Sequence, residues 1–193
     1  MENIHNSIIK IKSRLKLLKV QEFSDKKSSG IPKAAVFVLL TQKHDGPSIL
    51  FVKRSNEVSN HKGEICFPGG KKEIFDKSLL DTAYRELEEE IGVTKQSIEI
   101  ICSLSPEITR TGYIIFPYVA HLIDDSNIKP DKREIEKVMF ITLDDIQDPE
   151  RKRTIDFLDK KSRIQRNGFL LNNYLVWGAT SNITNELLER IHQ

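Results

Sequence analysis

Between positions 79 and 91 the apolar residues Leu80, Ala83, Leu87 and Ile91 recur at three- and four-residue steps, the period of a helix with one face turned to a core. Ser78, with Asp81 three positions on, supplies a capping-box-like start, and Gly92 supplies the stop, so the predicted helix spans about 78–91. Ile4, Ile8, Ile11, Leu15 and Leu18 repeat the spacing with lysines between them. They predict an amphipathic helix over 3–19, packed on the flank of a domain or laid on a membrane surface. Ser24 to Gly30 reads as a linker. From Ala34 onward the pattern changes to short β-branched and aromatic runs bounded by turn signals, which predict strands at Ala34–Leu40, Ser48–Lys53, Ile98–Ser103, Phe116–Ile123 and Val138–Thr142. The tail predicts a helical stretch near 144–166, an extended Phe169–Trp177 and a last helix over 181–192. Strands interleaved with helices argue for an α/β sandwich, formed by one domain over 31–193 behind an N-terminal helix and linker over 1–30.

With 193 residues, 38% of them apolar, the chain can close one sizeable core. A net charge of +2 argues against a dedicated nucleic-acid binder, but it conceals a local imbalance. Residues 1–33 carry eight Lys or Arg against three acids, whereas residues 64–100 carry nine acids against five bases. Cys66 and Cys102 form no Cys-x-x-Cys pair, so neither a zinc knuckle nor a disulfide framework is suggested, and a reducing compartment fits best. The longest apolar run, Ala34 to Leu40, has seven residues, against the ~20 needed to cross a bilayer. These features read as a cytoplasmic chain with no membrane partner.

The acidic centre is concentrated on the predicted helix. Glu86 and Glu90 lie one turn apart and Glu89 flanks the same face, while Glu88 projects from the other border of the apolar stripe. Like charges four apart on a helix repel by about 0.2–0.5 kcal/mol per pair, so either the face is simply solvated or something positive sits among the three. An all-oxygen, multiply charged set suits a hard divalent ion such as Mg²⁺ or Mn²⁺, and the lack of companion His or Cys argues against zinc. Upstream, Phe67-Pro68-Gly69-Gly70 is a rigid turn whose glycines let the backbone approach a ligand closely. A glycine turn followed by a helix of metal-binding acids is the arrangement needed for metal-assisted attack of water on phosphorus.

The segment Arg85-Glu86-Leu87-Glu88-Glu89-Glu90-Ile91-Gly92-Val93 resembles the second half of the Nudix box. Counting from Gly70, the box acid is Asp76 rather than Glu, and eight residues rather than seven separate it from Arg85. The same lengthening resembles the coenzyme A pyrophosphatase branch. So do Leu50-Phe51-Val52-Lys53-Arg54-Ser55, Gly63 and Phe67-Pro68-Gly69-Gly70 before the box, Ala34-Ala35-Val36, and Trp177-Gly178-Ala179-Thr180 near the end. Ser59 stands where the branch signature has a second arginine, for which His61 or Lys62 are candidate substitutes.

The resemblance implies a Nudix-type α/β/α sandwich with a mixed sheet and a loop-helix-loop catalytic motif. It implies that Glu86, Glu89 and Glu90, with the Gly70 carbonyl, hold Mg²⁺ or Mn²⁺, and that Arg85 orients a box carboxylate. Glu86 is the first candidate for general base and Glu134 the second. Gly69 and Gly70 face a small-molecule substrate, and Lys53 and Arg54 are candidates to select the 3′-phosphate of coenzyme A. The run Arg151, Lys152, Arg153, Lys160, Lys161, Arg163 is either a second cationic patch or a solvated helix face. Phe67, Tyr113 and Phe116 are candidates to stack an adenine or, equally, members of the core. The implied reaction cleaves coenzyme A or its thioesters. Hydrolysis of another nucleoside diphosphate derivative such as ADP-ribose or NADH, or ligand sensing without catalysis, are the competing readings, and a homodimer stays open.

Overall fold

Odd and even residues of one strand decide the architecture. In β1 (Lys33–Lys43), Ala35, Phe37 and Leu39 pack into one apolar cluster, while Val36, Val38 and Leu40 pack into another on the opposite face of the sheet. A strand buried on both faces needs a layer over each, and the structure, a computed structural model, supplies both. It describes residues 7–21, 23, 30–58, 61–110, 112–159 and 162–193; Ile4, most of the 24–30 linker, Ser59, Lys160 and Lys161 lie outside these.

The helix α1 (Ile8–Leu15) starts at Ser7, whose hydroxyl accepts the Lys10 N–H, and it buries Ile8, Ile11 and Leu15. The apolar stripe read from the sequence therefore faces the core. After β1, β2 (Gly46–Arg54) returns antiparallel, followed by β3 (Ile65–Cys66), β4 (Gly69–Lys71) and α2 (Leu79–Ile91). Then come β5 (Ile98–Ser103), β6 (Glu107–Ile108), β7 (Ile114–Leu122), β8 (Ile135–Thr142) and the short α3 (Leu143–Gln147). The order β3-β2-β1-β7-β5 is mixed: β1 and β7 run parallel, and their flanking pairs are antiparallel. Within this sheet, β4 pairs with β1, β6 with β7 and β8 with β2.

The expected helix near 144–166 is not there. After α3 the chain forms β9 (Lys152–Asp159) and β10 (Ser162–Leu171), joined by β11 (Tyr174–Val176) in a second, three-stranded sheet. Arg151, Lys152 and Arg153 accordingly lie on a short turn and a strand, not on a helix face. Asn172 and Asn173, both at positive φ, make the turn into β11. The last helix, α4 (Gly178–His192), begins three residues before the predicted start and buries Ile183, Leu187 and Ile191 beside α1.

The layers are thus α2 on one face of the sheet, and α1 with α4 on the other. Fully buried Leu87 and Ile91 on α2 are each worth roughly 1.5–3 kcal/mol against exposure, which makes the helix a fixed platform for the acids it carries. The α1 layer is tied to the sheet by charge as well. Lys12 Nζ donates to Glu99 Oε2 at 2.5 Å and lies 3.2 Å from His121 Nδ1, while Lys16 pairs with Glu99 Oε1 at 2.9 Å.

Candidate active site

Strand β4 exists because its glycines let it lie against β1. Ala34, Ala35 and Val36 pair with Lys71, Gly70 and Gly69, and Phe37 N–H donates to the Pro68 carbonyl at 2.9 Å. At Gly69, φ is +145° and an added Cβ would sit 2.3 Å from the Ala35 carbonyl oxygen. At Gly70 the obstacle is chemical: an added Cβ would sit 2.4 Å from Glu86 Cδ and 2.5 Å from its Oε1. The Glu86 carboxylate therefore lies against the backbone of the turn.

Helix α2 delivers the acids with the expected caps. Ser78 Oγ accepts the Asp81 N–H at 3.0 Å, and Gly92 closes the helix at φ 71° with its N–H on the Glu88 carbonyl. Arg85 then gathers the neighbouring acids. Its Nε and Nη2 grip both oxygens of Asp76 at 3.0 and 3.1 Å, Nη2 also donates to the Lys71 carbonyl at 3.0 Å, and Nη1 reaches Glu86 Oε1 and Glu89 Oε2, each at 2.9 Å. Asp76 receives in addition the Thr82 hydroxyl at 2.9 Å and the Glu73 N–H at 2.8 Å. The guanidinium holds the Asp76 carboxyl down at about 2, and Asp76 in turn raises the Arg85 pKa. Arg85 is engaged by protein groups on every nitrogen.

Glu90 turns inward. It is 2% exposed; its Oε2 accepts the Gly69 N–H at 2.9 Å and its Oε1 lies 3.3 Å from Arg54 Nη1. Burial pushes its carboxyl up to about 8, against the pull of that N–H and of Arg54, and the charges of Glu86 and Glu134 push the same way. Burial likewise raises Glu86, opposed by Arg85 and reinforced by Glu89 and Glu134. Glu134 is exposed, and its carbonyl takes the Ser55 N–H at 2.7 Å, which seats it beside the end of β2 and explains its electrostatic reach into the site.

The three box glutamates thus sit on one helix but are held by different partners: Glu86 by the turn and Arg85, Glu89 in solvent with Arg85, Glu90 beneath with Gly69 and Arg54. Among the described residues, no three acidic, His or Cys side chains already close on one point as a metal cage. The donor set nevertheless fits a hard divalent ion. It is all oxygen, and Glu86 and Glu90, raised chiefly by burial, are pushed further the same way by neighbouring carboxylates, a repulsion that a cation among them would relieve.

The other sequence candidates fall in two groups. Arg54 lies at the site, on the α2 side with Leu50 and Val52. Lys53 points the other way: its Nζ donates to Glu136 at 2.7 Å and lies 5.1 Å from the Tyr174 ring centroid, and Tyr174 packs against the α1 and α4 layer. Period-two alternation in β2 separates these neighbours. Phe67 is 2% exposed and stacks on Phe51 at 5.0 Å, so its ring belongs to the core and is closed to a ligand. Phe116, 7% exposed, is core as well. Cys66 is a half-buried thiol, pushed up to about 12 by burial. Unforeseen in the sequence were the role of Asp76 as the clamp on Arg85, although its place in the box marks it, and the pairing of Arg54 with Glu90, which has no local signal.

A model of the NUDIX domain matches residues 31–160 of the chain. An uncharacterized Nudix hydrolase, NudL, of Enterobacter sp. (strain 638) is 30% identical over 165 residues, covering 82% of each chain. The peroxisomal coenzyme A diphosphatase NUDT7 of Mus musculus is 27% identical over 162 residues, covering 78% of this chain and 66% of that one. Among solved structures, a MutT/nudix family protein from Enterococcus faecalis superposes with a TM-score of 0.56 at 18% identity, covering 96% of this chain and 70% of that chain, a likeness of fold. No helix among the described residues is long and apolar enough to cross a membrane. With the glycine turn, the arginine clamp and the acid helix in place under the matched domain, the chain belongs to the Nudix hydrolase family, whose members are pyrophosphohydrolases.

Proposed function

We propose that this chain hydrolyses the pyrophosphate bond of coenzyme A or its thioesters, releasing 3′,5′-ADP and 4′-phosphopantetheine derivatives. The observation that carries this reading is the contact between Gly70 and Glu86, which sets an acid directly against a backbone turn able to approach a phosphate. The substrate class is supported by the lengthened box, by the signature Leu50 to Ser55 with Gly63 and Phe67 to Gly70, and by the 27% identity to the mouse coenzyme A diphosphatase. Free Cys66 and Cys102 support a reducing, cytoplasmic setting.

Nudix hydrolases generally use divalent metal ions. Here Glu86, Glu89, Glu90 and the Gly70 carbonyl are the groups that would hold Mg²⁺ or Mn²⁺. Such an ion, when bound, lowers the pKa of the attacking water and offsets charge on the phosphate oxygens. The chain's own residues supply position and proton transfer. Arg85, fixed by Asp76, sets the rotamers of Glu86 and Glu89. Glu86, whose affinity for a proton is raised by burial, takes the proton of the water that attacks one phosphorus of the diphosphate, and the bond from that phosphorus to the bridging oxygen breaks. Glu134 is the second candidate for this base. Arg54, linked to the turn through Glu90, is the candidate cation for a substrate phosphate.

Incubating the protein with coenzyme A, acetyl-coenzyme A, ADP-ribose and NADH in Mg²⁺ and in Mn²⁺, with products resolved by chromatography, tests the assignment. Release of 3′,5′-ADP is the expected result. Turnover of ADP-ribose alone rejects the coenzyme A reading, and tight coenzyme A binding without turnover in either metal rejects the hydrolase.

A further inference from the structure

The turn between β4 and α2 carries its apolar residues outward. Ile74 is 98% exposed and Phe75 68%, at the tip between Glu73 and Asp76. The turn that displays them is fixed. Asp76 N–H donates to the Glu73 carbonyl at 3.2 Å, Glu73 N–H donates back to Asp76 Oδ2 at 2.8 Å, and Lys72 Nζ donates to the Asp76 carbonyl at 3.0 Å. The carboxylate that pins the turn is also the one that clamps Arg85, so one group sets the apolar tip against the acid helix.

The place of Phe75 relative to the acids gives this exposure its meaning. Its ring centroid lies 5.5 Å from Arg85 Cζ, and Arg85 Nη1 is 2.9 Å from Glu86 Oε1 and from Glu89 Oε2. A single C–N bond of about 1.3 Å joins Cζ to Nη1, so the ring stands within about 10 Å of both carboxylates. Single exposed apolar side chains are ordinary, but two in succession on a pinned turn beside a polar site form an apolar rim to it. The two arms of coenzyme A differ in what they offer such a rim. On one side of the diphosphate stands a ribose, whose hydroxyls gain nothing from apolar cover. On the other, the ester oxygen is followed by a methylene and then by a carbon bearing two methyl groups, a compact apolar group next to a phosphate. With the diphosphate held at the acids, that group falls within reach of Ile74 and Phe75.

We propose that Ile74 and Phe75 form the subsite for the pantoyl dimethyl group of coenzyme A, so that the turn before the acid helix is a specificity element. It favours coenzyme A over ADP-ribose and NADH, which carry a ribose on both sides of the diphosphate. The proposal rests on the coenzyme A reading above. Phe75 also lies over the Arg85 guanidinium, so replacing it disturbs the clamp as well. Ile74, almost wholly exposed, has next to no protein packing to lose and isolates the contact with substrate.

The test uses the full chain in Mg²⁺ and measures kcat and KM for coenzyme A, with product inhibition by 4′-phosphopantetheine and, separately, by 3′,5′-ADP. Ile74→Ser and Phe75→Ser are expected to raise KM and the inhibition constant of 4′-phosphopantetheine, on the order of 10-fold for the ring and less for Ile74. In Ile74→Ser, kcat, inhibition by 3′,5′-ADP and the thermal midpoint stay at wild-type values. Ile74→Leu and Phe75→Leu, which keep an apolar side chain, stay close to the wild-type KM. An unchanged KM in both serine variants, an equal loss for 3′,5′-ADP, or a loss confined to kcat overturns the proposal. So does a change of oligomeric state in Ile74→Ser on size-exclusion chromatography, which assigns the rim to a second copy of the chain. If the wild type turns over ADP-ribose and leaves coenzyme A intact, the coenzyme A reading falls and the subsite with it. If it turns over coenzyme A and the serine variants match it, the subsite alone falls.

Discussion

Arg54 Nη1 lies 3.3 Å from one oxygen of Glu90, and the other oxygen of Glu90 takes the Gly69 N–H at 2.9 Å, so a strand, a helix and the glycine turn are joined through a single carboxylate. Because Glu90 is 2% exposed, its charge depends on these two partners.

Removing the cation therefore acts in a pH-dependent way. Glu90 has a folded pKa of about 8, above its ordinary 4.5, so the folded state holds a proton that the unfolded state has released, and the stability this gives is lost as pH rises through that window. Arg54→Met raises the carboxyl further. Urea unfolding of the metal-free protein at pH 6 and pH 9 is expected to show a small loss at pH 6, where Glu90 is neutral in both proteins, and a further loss of about 1 kcal/mol at pH 9, where the wild type gains by ionising Glu90 beside Arg54 and the variant does not.

The two glycines of the turn separate fold from chemistry. Gly70→Ala pushes only against the Glu86 carboxylate, so turnover is expected to fall on the order of 100-fold through misplacement of that group, with little change in thermal midpoint. Gly69→Ala meets the Ala35 carbonyl oxygen at 2.3 Å with φ at +145°, and a large drop in the midpoint is expected. Equal midpoints for the two variants would refute this division.

Glu89 is the exposed member of the trio, its side chain 58% accessible and paired with Arg85 at i,i+4. An exposed pair of this kind contributes about 0.3–0.5 kcal/mol, so Glu89→Gln leaves stability in place. Turnover is expected to fall by several orders of magnitude if Glu89 carries metal charge, and kcat beside a thermal melt reads both quantities.

Asp76 is tested from the acid side. Its pKa of about 2, below the ordinary 3.8, means that its ion pair with Arg85 stabilises the fold above pH ~4 and that this contribution disappears as pH falls toward 2. Asp76→Ala breaks a buried bidentate pair and is expected to cost about 3 kcal/mol at pH 7. Its melts between pH 5 and pH 2 should also lose less than those of the wild type, since the titrating group is gone.

The sequence made strands β1, β2, β5, β7 and β8 and the caps of α2 visible because each is written locally, in alternation, in Ser78 with Asp81, and in Gly92, whereas the two- and three-residue strands β3, β4 and β6 are too short to show a pattern. It also named both Gly70 and Glu86 as candidate site residues through the resemblance to the box, though not the close approach of one to the other. What escaped it depends on partners distant in the chain. Glu90 looks on a helical wheel like its neighbours, and its burial comes from β4 folding over it. Lys53 and Arg54 are adjacent in sequence and opposed in space. The stretch near 144–166 reads as helical from its charges, whereas the chain turns at Pro149 and pairs 152–159 with 162–169, a hairpin that local helix propensity does not reveal.

The parallel seam between β1 and β7 joins Lys33 to Ile114 and Leu40 to His121, and every residue from the glycine turn to the end of the acid helix lies inside the loop so closed. Closing so long a loop is costly before its contacts form, so this pairing is expected to come late as the chain acquires structure. Hydrolytic competence should therefore rise together with protection of the β1 and β7 amides, in one kinetic phase, and not with the earlier growth of helical signal.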